Sequence, residues 1–197
     1  VVTSGTGSGK TESFLLPSLI RLVAEAVDSE RTQAHHWWEG DPGNWKPVRK
    51  DDQRTAAVRT LILYPTNALV EDQISRLRRA IWRISENGGP QLWFGRYTGA
   101  TPGRGQRSKK DVDRLSQDLR AMVRDVEDLR EGGLANDVLA QFPDPRRGEL
   151  VSRWDIISTP PDILVTNYSM LNVMLMRQVE NELFEQTRDW IEQSADH

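Results

Sequence analysis

Short apolar runs alternate with amphipathic stretches along the chain, and this alternation is typical of an α/β protein. Runs over residues 58–64, 91–97 and 162–167 are rich in strand-forming residues and predict strands of a mostly parallel sheet. The stretches between them repeat apolar residues every three or four positions, which predicts helices on both faces of that sheet.

Helices are predicted where this spacing persists, over residues 10–26, 69–84, 111–131, 134–142 and 170–184. Thr66 or Asn67 can cap the helix over 69–84, and Ser169 can cap the last helix. The two methionines of the last helix, Met170 and Met174, are expected to fill space in the core.

Four arginines lie mainly off the apolar stripe of the helix over 69–84, and a solvated helix face is expected for them. They are Arg76, Arg78, Arg79 and Arg83.

Two stretches, at about 28–57 and 103–158, interrupt the alternation and read as insertions in one partial domain that spans residues 1–197. Trp37, Trp38 and Trp45 lie in the first insertion. They are expected to pin it onto the domain, although exposed tryptophans could also stack on bases.

Composition narrows the possible functions only a little. The 197 residues suffice for one α/β core, and the net charge of −3 means that any contact with nucleic acid must be local. The chain has no cysteine, hence no disulfide, and no apolar run of about 18 residues or signal peptide is recognisable. We expect a bacterial cytoplasmic protein with no membrane partner. Because the chain starts with Val1, close to a phosphate-loop pattern, we also expect a fragment of a longer protein.

Residues 3–11 read Thr-Ser-Gly-Thr-Gly-Ser-Gly-Lys-Thr, a phosphate-loop pattern with Ser4 in place of the usual first glycine. The glycines let backbone amides close around phosphate, and the helix that follows adds its positive end. Lys10 can reach the β- and γ-phosphates of ATP and Thr11 can ligate Mg²⁺, so these two are the catalytic candidates. The predicted cofactor site comprises Ser4, Gly5, Thr6, Gly7, Ser8, Gly9, Lys10, Thr11 and Glu12.

Three strand-to-helix junctions, at 4–11, 64–69 and 165–171, are expected at the carboxyl edge of the sheet, where open α/β sheets bind ligands. One junction can hold a nucleotide. The other two offer helix N-terminal amides with Thr or Asn side chains, which can hold successive phosphates of a nucleic acid without reading its bases. Helix capping alone also explains these side chains.

The window over residues 98–110 contains four cations and no acid, and it follows a predicted strand. A flexible basic loop of this kind can track a phosphodiester backbone, which makes Lys109 and Lys110 candidates for nucleic-acid binding. An ordinary solvated connection explains the window equally well.

Four motifs in this chain resemble, in order, those of superfamily-two DEAD/DEAH-box helicases. Residues 3–12 are similar to motif I, and residues 64–69, followed by Asp-Gln, are similar to motif Ia. Residues 97–102 resemble the Tyr-Asp-Gly-Asp-Thr-Pro element of a large subgroup, and residues 161–171 resemble its motif Ib region. That subgroup includes MrfA/YprA-like DNA-repair helicases and the helicase of DISARM phage-defence systems.

The resemblance implies the first RecA-like domain of a helicase, a P-loop NTPase fold that binds ATP and Mg²⁺ and moves along a single strand, with DNA favoured. A second RecA-like domain would be the missing partner. The residues that would face the strand by this resemblance are Pro65, Thr66, Asn67, Thr98, Gly99, Thr166 and Asn167.

One departure from the family pattern concerns hydrolysis. No apolar run ending in Asp-Glu occurs in the sequence, and that carboxylate pair would hold Mg²⁺ and orient the attacking water. We therefore expect that the fragment does not turn over ATP and that the protein from which it derives does. Two alternatives remain open: another P-loop motor ATPase of secretion or pilus type, and a non-catalytic nucleotide-binding module.

Overall fold

A four-stranded, fully parallel sheet forms the centre of the computed structural model, which describes residues 10–29 and 32–194. The strands are β1 (Thr60–Tyr64), β2 (Phe94–Tyr97), β3 (Glu149–Leu150) and β4 (Ile163–Asn167). Their order is β1-β4-β2-β3, so that β4 lies between β1 and β2. The predicted α/β class and the parallel sheet are confirmed, and β3 is a strand that the sequence did not reveal.

Seven α-helices surround this sheet in the described part of the chain. They are α1 (Lys10–Ala26), α2 (Asn67–Glu86), α3 (Lys109–Glu131), α4 (Asn136–Leu139), α5 (Arg153–Ser158), α6 (Tyr168–Met176) and α7 (Asn181–Ser194). None of the helices described combines the length and the apolarity that crossing a bilayer requires.

The side chains of β4 alternate between two hydrophobic clusters, one on each face of the sheet. Ile163 and Val165 pack with residues of α1 and α2. Leu164 packs in the opposite cluster, which includes residues of α3, α5, α6 and the first insertion. All five residues of β4 are buried, as expected for a central parallel strand.

The last predicted helix is wrong in two respects. The helix breaks at Arg177, whose backbone is extended, and the chain continues through a 3₁₀ turn into α7. Ser169 is not the cap, because Asn167 takes that role: its side-chain oxygen accepts a hydrogen bond from the Met170 amide at 2.7 Å. The predicted core role of Met170 and Met174 is confirmed.

The solvated face predicted for the α2 arginines is wrong for Arg78. Arg78 is 2% exposed and forms a bidentate ion pair with Glu149, with N–O distances of 2.7 and 2.8 Å. Its partner lies 71 residues later, on β3, which the local pattern of α2 cannot reveal. Arg76 and Arg83, in contrast, form ion pairs near the surface, with Asp72 and Asp137 respectively.

The first insertion is held at the amino edge of the sheet. Asp162, which precedes β4 and is fully buried, accepts hydrogen bonds from Arg54 and Arg59 and from the Trp93 amide. Earlier in the insertion, Trp37 and Trp38 are 2% and 0% exposed and pack in a core cluster, so that their predicted pinning role is confirmed. The insertion therefore covers the edge opposite to the strand-to-helix junctions.

Candidate nucleic-acid interface

The predicted phosphate loop can be followed only where it enters α1. The sites assigned to Ser4, Gly5, Thr6, Gly7, Ser8 and Gly9 lie outside the described residues. The backbone of Lys10, Thr11 and Glu12 belongs to α1, the helix that was predicted to follow the loop.

Two of the predicted junctions meet directly at the carboxyl edge of the sheet. In the parallel register of β1 and β4, Tyr64 pairs with Asn167. The Asn167 side-chain amide donates to the Asn67 side-chain oxygen at 2.6 Å. Thr66 is the N-cap of α2, and its hydroxyl accepts from the Leu69 amide at 3.5 Å. The N-termini of α2 and α6 are therefore linked through two asparagines.

Beside these two junctions lies a tight turn over residues 98–102, which follows β2. The Thr98 amide donates to the Thr101 hydroxyl at 2.9 Å, and the Ala100 amide donates to the Thr98 hydroxyl at 3.2 Å. Gly99 stands at the exposed tip, where a Cβ would meet nothing within 4 Å. The turn is thus built from its own threonines and presents Gly99 outward.

Two of the residues assigned to strand contact lie below this surface. Thr166 is 0% exposed, and its hydroxyl donates to the Tyr97 carbonyl at 2.6 Å, which ties β4 to β2. Thr98 is 1% exposed, and its hydroxyl is used within the turn. We correct both assignments: these threonines are buried and bonded within the fold, so neither hydroxyl is exposed for a direct contact. Pro65, Thr66, Asn67 and Gly99 are exposed, and Asn167 is 8% exposed.

Arg153 holds the 98–102 turn from the second insertion, a role that the sequence pattern does not indicate. Its guanidinium donates to the carbonyls of Thr98 at 2.7 Å and Thr101 at 3.1 Å, and its backbone amide donates to Pro102 at 2.9 Å. The same guanidinium lies 4.8 Å from the centre of the Tyr97 ring. Since the bonded residues are about fifty positions apart, no local pattern could have identified the contact.

Tyr97 anchors the base of the same turn. Its hydroxyl donates to Glu180, itself fully buried, at 2.7 Å. Burial, and then the hydrogen bond to Glu180, raise the pKa of Tyr97 above its ordinary value. The hydroxyl therefore stays protonated at neutral pH and keeps the 98–102 turn attached to the segment between α6 and α7.

Lys109 and Lys110 open α3 beside this turn. Both are exposed, and neither has an ion-pair partner in the part of the chain that the structure describes. Ser108 caps the helix by accepting from the Asp111 amide at 3.2 Å. The two ammonium groups are thus available to an anion from solution.

Comparison with known proteins gives one family and two relatives. The model of the DEAD/DEAH box helicase family matches residues 1–119. The Druantia protein DruE of Escherichia coli is 32% identical over an alignment that covers 97% of this chain and 12% of DruE. The mitochondrial ATP-dependent RNA helicase MRH4 of Candida albicans is 34% identical over 90 residues, which are 45% of this chain and 14% of MRH4. No solved structure matches.

The chain thus spans only about 12% and 14% of the length of these two relatives. The family match covers the segments similar to motifs I and Ia and the 98–102 turn. The segment over 161–171 lies beyond that match and within the span aligned with DruE, which covers nearly the whole chain.

Proposed function

The chain belongs to the DEAD/DEAH box helicase family, and we propose that it is the ATP-binding and strand-binding part of an ATP-dependent helicase that acts on single-stranded DNA. The observation that carries the strand-binding part is the hydrogen bond between Asn167 and Asn67, which brings two helix N-termini together at one edge of the sheet. The family assignment also favours a helicase over a secretion or pilus motor.

The proposed ATP site lies at the start of α1. A helix of 17 residues begins at Lys10, and the N-terminal end of a helix favours a phosphate group. Lys10 would neutralise the β- and γ-phosphates, and Thr11 would ligate Mg²⁺. Residues 4–9 would supply backbone amides that bind the phosphates, and Glu12 would be the last residue of the ATP-binding motif. When bound, ATP supplies the phosphoryl group whose hydrolysis drives movement along the strand.

The proposed strand path crosses the N-termini of α2 and α6 and the 98–102 turn. Pro65, Thr66 and Asn67 would contact one phosphate region, and Asn167 and Gly99 would contact the next. Backbone amides at helix N-termini bind phosphates of any sequence, so this path would not read bases. Thr98 and Thr166 would act indirectly, by fixing the turn and the sheet edge.

DNA is proposed because residues 97–102 and 161–171 resemble motifs of a helicase subgroup that includes DNA-repair enzymes. The name of MRH4 states RNA as the nucleic acid of that relative, so that RNA is the second candidate. Binding of the intact protein to DNA and RNA strands of the same sequence, at one salt concentration, separates the two, since the 2′-hydroxyl distinguishes them. Tighter binding of the RNA strand would overturn the DNA assignment.

ATP hydrolysis by the intact protein, measured with and without a single strand, tests the proposed function. We expect strand-stimulated turnover that Lys10→Ala abolishes. Lys46→Ala, which removes an exposed lysine of the first insertion, is the matched control and should retain turnover. Nucleotide binding without any turnover in the intact protein would instead support a non-catalytic module.

The 197-residue chain by itself should not turn over ATP, because it contains no Asp-Glu pair after an apolar run. Steady turnover by this chain, lost on Lys10→Ala, would contradict that expectation and require another carboxylate for the attacking water.

A further inference from the structure

A groove of about 520 Å³ opens directly beside the 98–102 turn. One wall consists of the turn itself and its continuation to Arg104. The other wall is the first part of α3, including Arg114 and Leu115, and Trp154 lies between the walls. The groove therefore begins where the proposed strand path leaves the carboxyl edge, and it runs into the second insertion.

The loop that carries Arg104 is held in place on both sides. Gly103 has a φ of +80°, and a Cβ there would come within 3.1 Å of the Trp154 ring. The Trp154 indole nitrogen donates to the Gly105 carbonyl at 3.2 Å. Because its neighbours are fixed in this way, the Arg104 backbone is preorganised at the mouth of the groove.

Arg104 and Arg114 differ from the arginines that stabilise the fold. Arg78 and Arg146 pair with carboxylates, and Arg153 is bonded to backbone carbonyls. Arg104 and Arg114 are exposed, and neither has a hydrogen-bond or ion-pair partner among the described residues. Two unpaired guanidinium groups that line one groove are a suitable arrangement for an external anion.

The local charge favours an anion in spite of two carboxylates in the groove. Asp111 and Asp118 also line it, and the Asp111 carboxylate accepts a hydrogen bond from Ser108 at 2.5 Å. Residues 104–118 together contain five cations and three acids, whereas the chain as a whole carries a net charge of −3. Asp111 and Asp118 balance Arg104 and Arg114 in the groove lining itself, and the excess positive charge of this stretch lies beside the groove, on the exposed Arg107, Lys109 and Lys110.

We propose that this groove binds the phosphodiester backbone of the nucleic-acid strand just beyond the segment held by the 98–102 turn, with Arg104 and Arg114 as its phosphate contacts. The inference rests on the proposed function, and it assigns the second insertion a part of the strand-binding surface. A groove walled by both the turn and α3 would continue the path across the N-termini of α2 and α6 without reading bases.

The test compares two double variants of the intact protein that lose the same charge. Arg104→Gln/Arg114→Gln alters the groove, and Arg83→Gln/Arg124→Gln removes two exposed arginines outside it. Binding is measured by fluorescence anisotropy with single strands of about five and about twelve nucleotides, lengths within the usual site sizes of single-strand-binding surfaces. Thermal unfolding confirms that all variants are folded.

On the longer strand, we expect the groove variant to bind on the order of ten-fold more weakly at low salt, and its slope of log K against log salt to fall by about 1.4. On the shorter strand, which the sheet edge alone accommodates, its affinity should match wild type. The control variant should match wild type on both strands.

Two results for the groove variant would overturn the assignment of the groove: binding of the longer strand as tight as that of the control variant, or equal losses of affinity on both strands. Asn67→Ala, measured in parallel, separates this failure from that of the proposed function. If Asn67→Ala weakens binding while the groove variant does not, only the groove is wrong. If neither change has an effect, the strand-binding surface itself is wrong.

Discussion

Arg153 offers a direct way to test whether the 98–102 turn must be held for a strand to bind. The side chain is 4% exposed and donates to two main-chain carbonyls, at 2.7 and 3.1 Å. Arg153→Met retains much of the apolar volume and removes both hydrogen bonds. Because the site is closed to water, the carbonyls of Thr98 and Thr101 would be left without these donors.

The size of the effect follows from those two contacts. A hydrogen bond to a charged group contributes about 1.5–3 kcal/mol, so the loss of two gives at least about 3 kcal/mol of destabilisation. The turn should also become more mobile, because only the bond from the residue-153 amide to the Pro102 carbonyl, the bonds within the turn and the bond to Arg96 would remain. We therefore expect weaker strand binding in addition to lower stability.

Arg78→Met is the matched control for this measurement. Arg78 is 2% exposed and bonded to Glu149 and to the carbonyls of Ala140 and Gln141, near the amino ends of the strands. Leaving Glu149 buried and unpaired should cost about 3–5 kcal/mol. Unfolding in urea gives the stability of both variants, and anisotropy gives strand affinity at a temperature where both are folded. Equal strand affinities of the two variants would refute the positioning role of Arg153.

Two further predictions concern stability. Burial raises the pKa of Asp155 to about 6, so ionisation of this carboxyl opposes folding. As pH rises from about 4 to above 6, the free energy of unfolding of the wild type should therefore fall by on the order of 3 kcal/mol relative to that of Asp155→Asn. Urea unfolding at several pH values measures this difference, and a pH-independent difference would show that Asp155 is not buried as described. Gly103→Ala should destabilise by about 1–2 kcal/mol, because φ is +80° and the new Cβ would meet Trp154. Gly99→Ala should leave the melting temperature nearly unchanged, since its surroundings are open, and equal effects of the two alanines would be inconsistent with this turn geometry.

The sheet could be predicted from the sequence to the extent that each strand carries its own signal. β4 is buried on both faces, and the consecutive apolar residues Ile163, Leu164 and Val165 that open it stand out in the sequence. β3 has only two residues and pairs with β2 through Phe94 opposite Glu149, so its signal lies in the partner strand and not in its own sequence.

The positions of the strand-to-helix junctions in the candidate site could be predicted from the sequence, but the side-chain contacts that hold them could not. The Thr and Asn residues at the strand ends marked the edge correctly, because capping chemistry is local. The burial of Thr166 depends on the neighbouring strand β2, because the Thr166 hydroxyl donates a hydrogen bond to the Tyr97 carbonyl. The roles of Arg78 and Arg153 depend on partners about fifty to seventy positions away, which only the folded chain brings together.

Photocross-linking tests most directly whether the carboxyl edge of the sheet carries the strand. A photoreactive phenylalanine derivative can replace Gly99 without a steric clash near Cα. The same group at Asn87, an exposed residue that ends α2 on the opposite edge, is the control. If the carboxyl edge carries the strand, labelled single strand should cross-link to position 99, unlabelled strand should compete it away, and position 87 should give no cross-link. Equal yields at both positions, or a cross-link from position 87 alone, would contradict it.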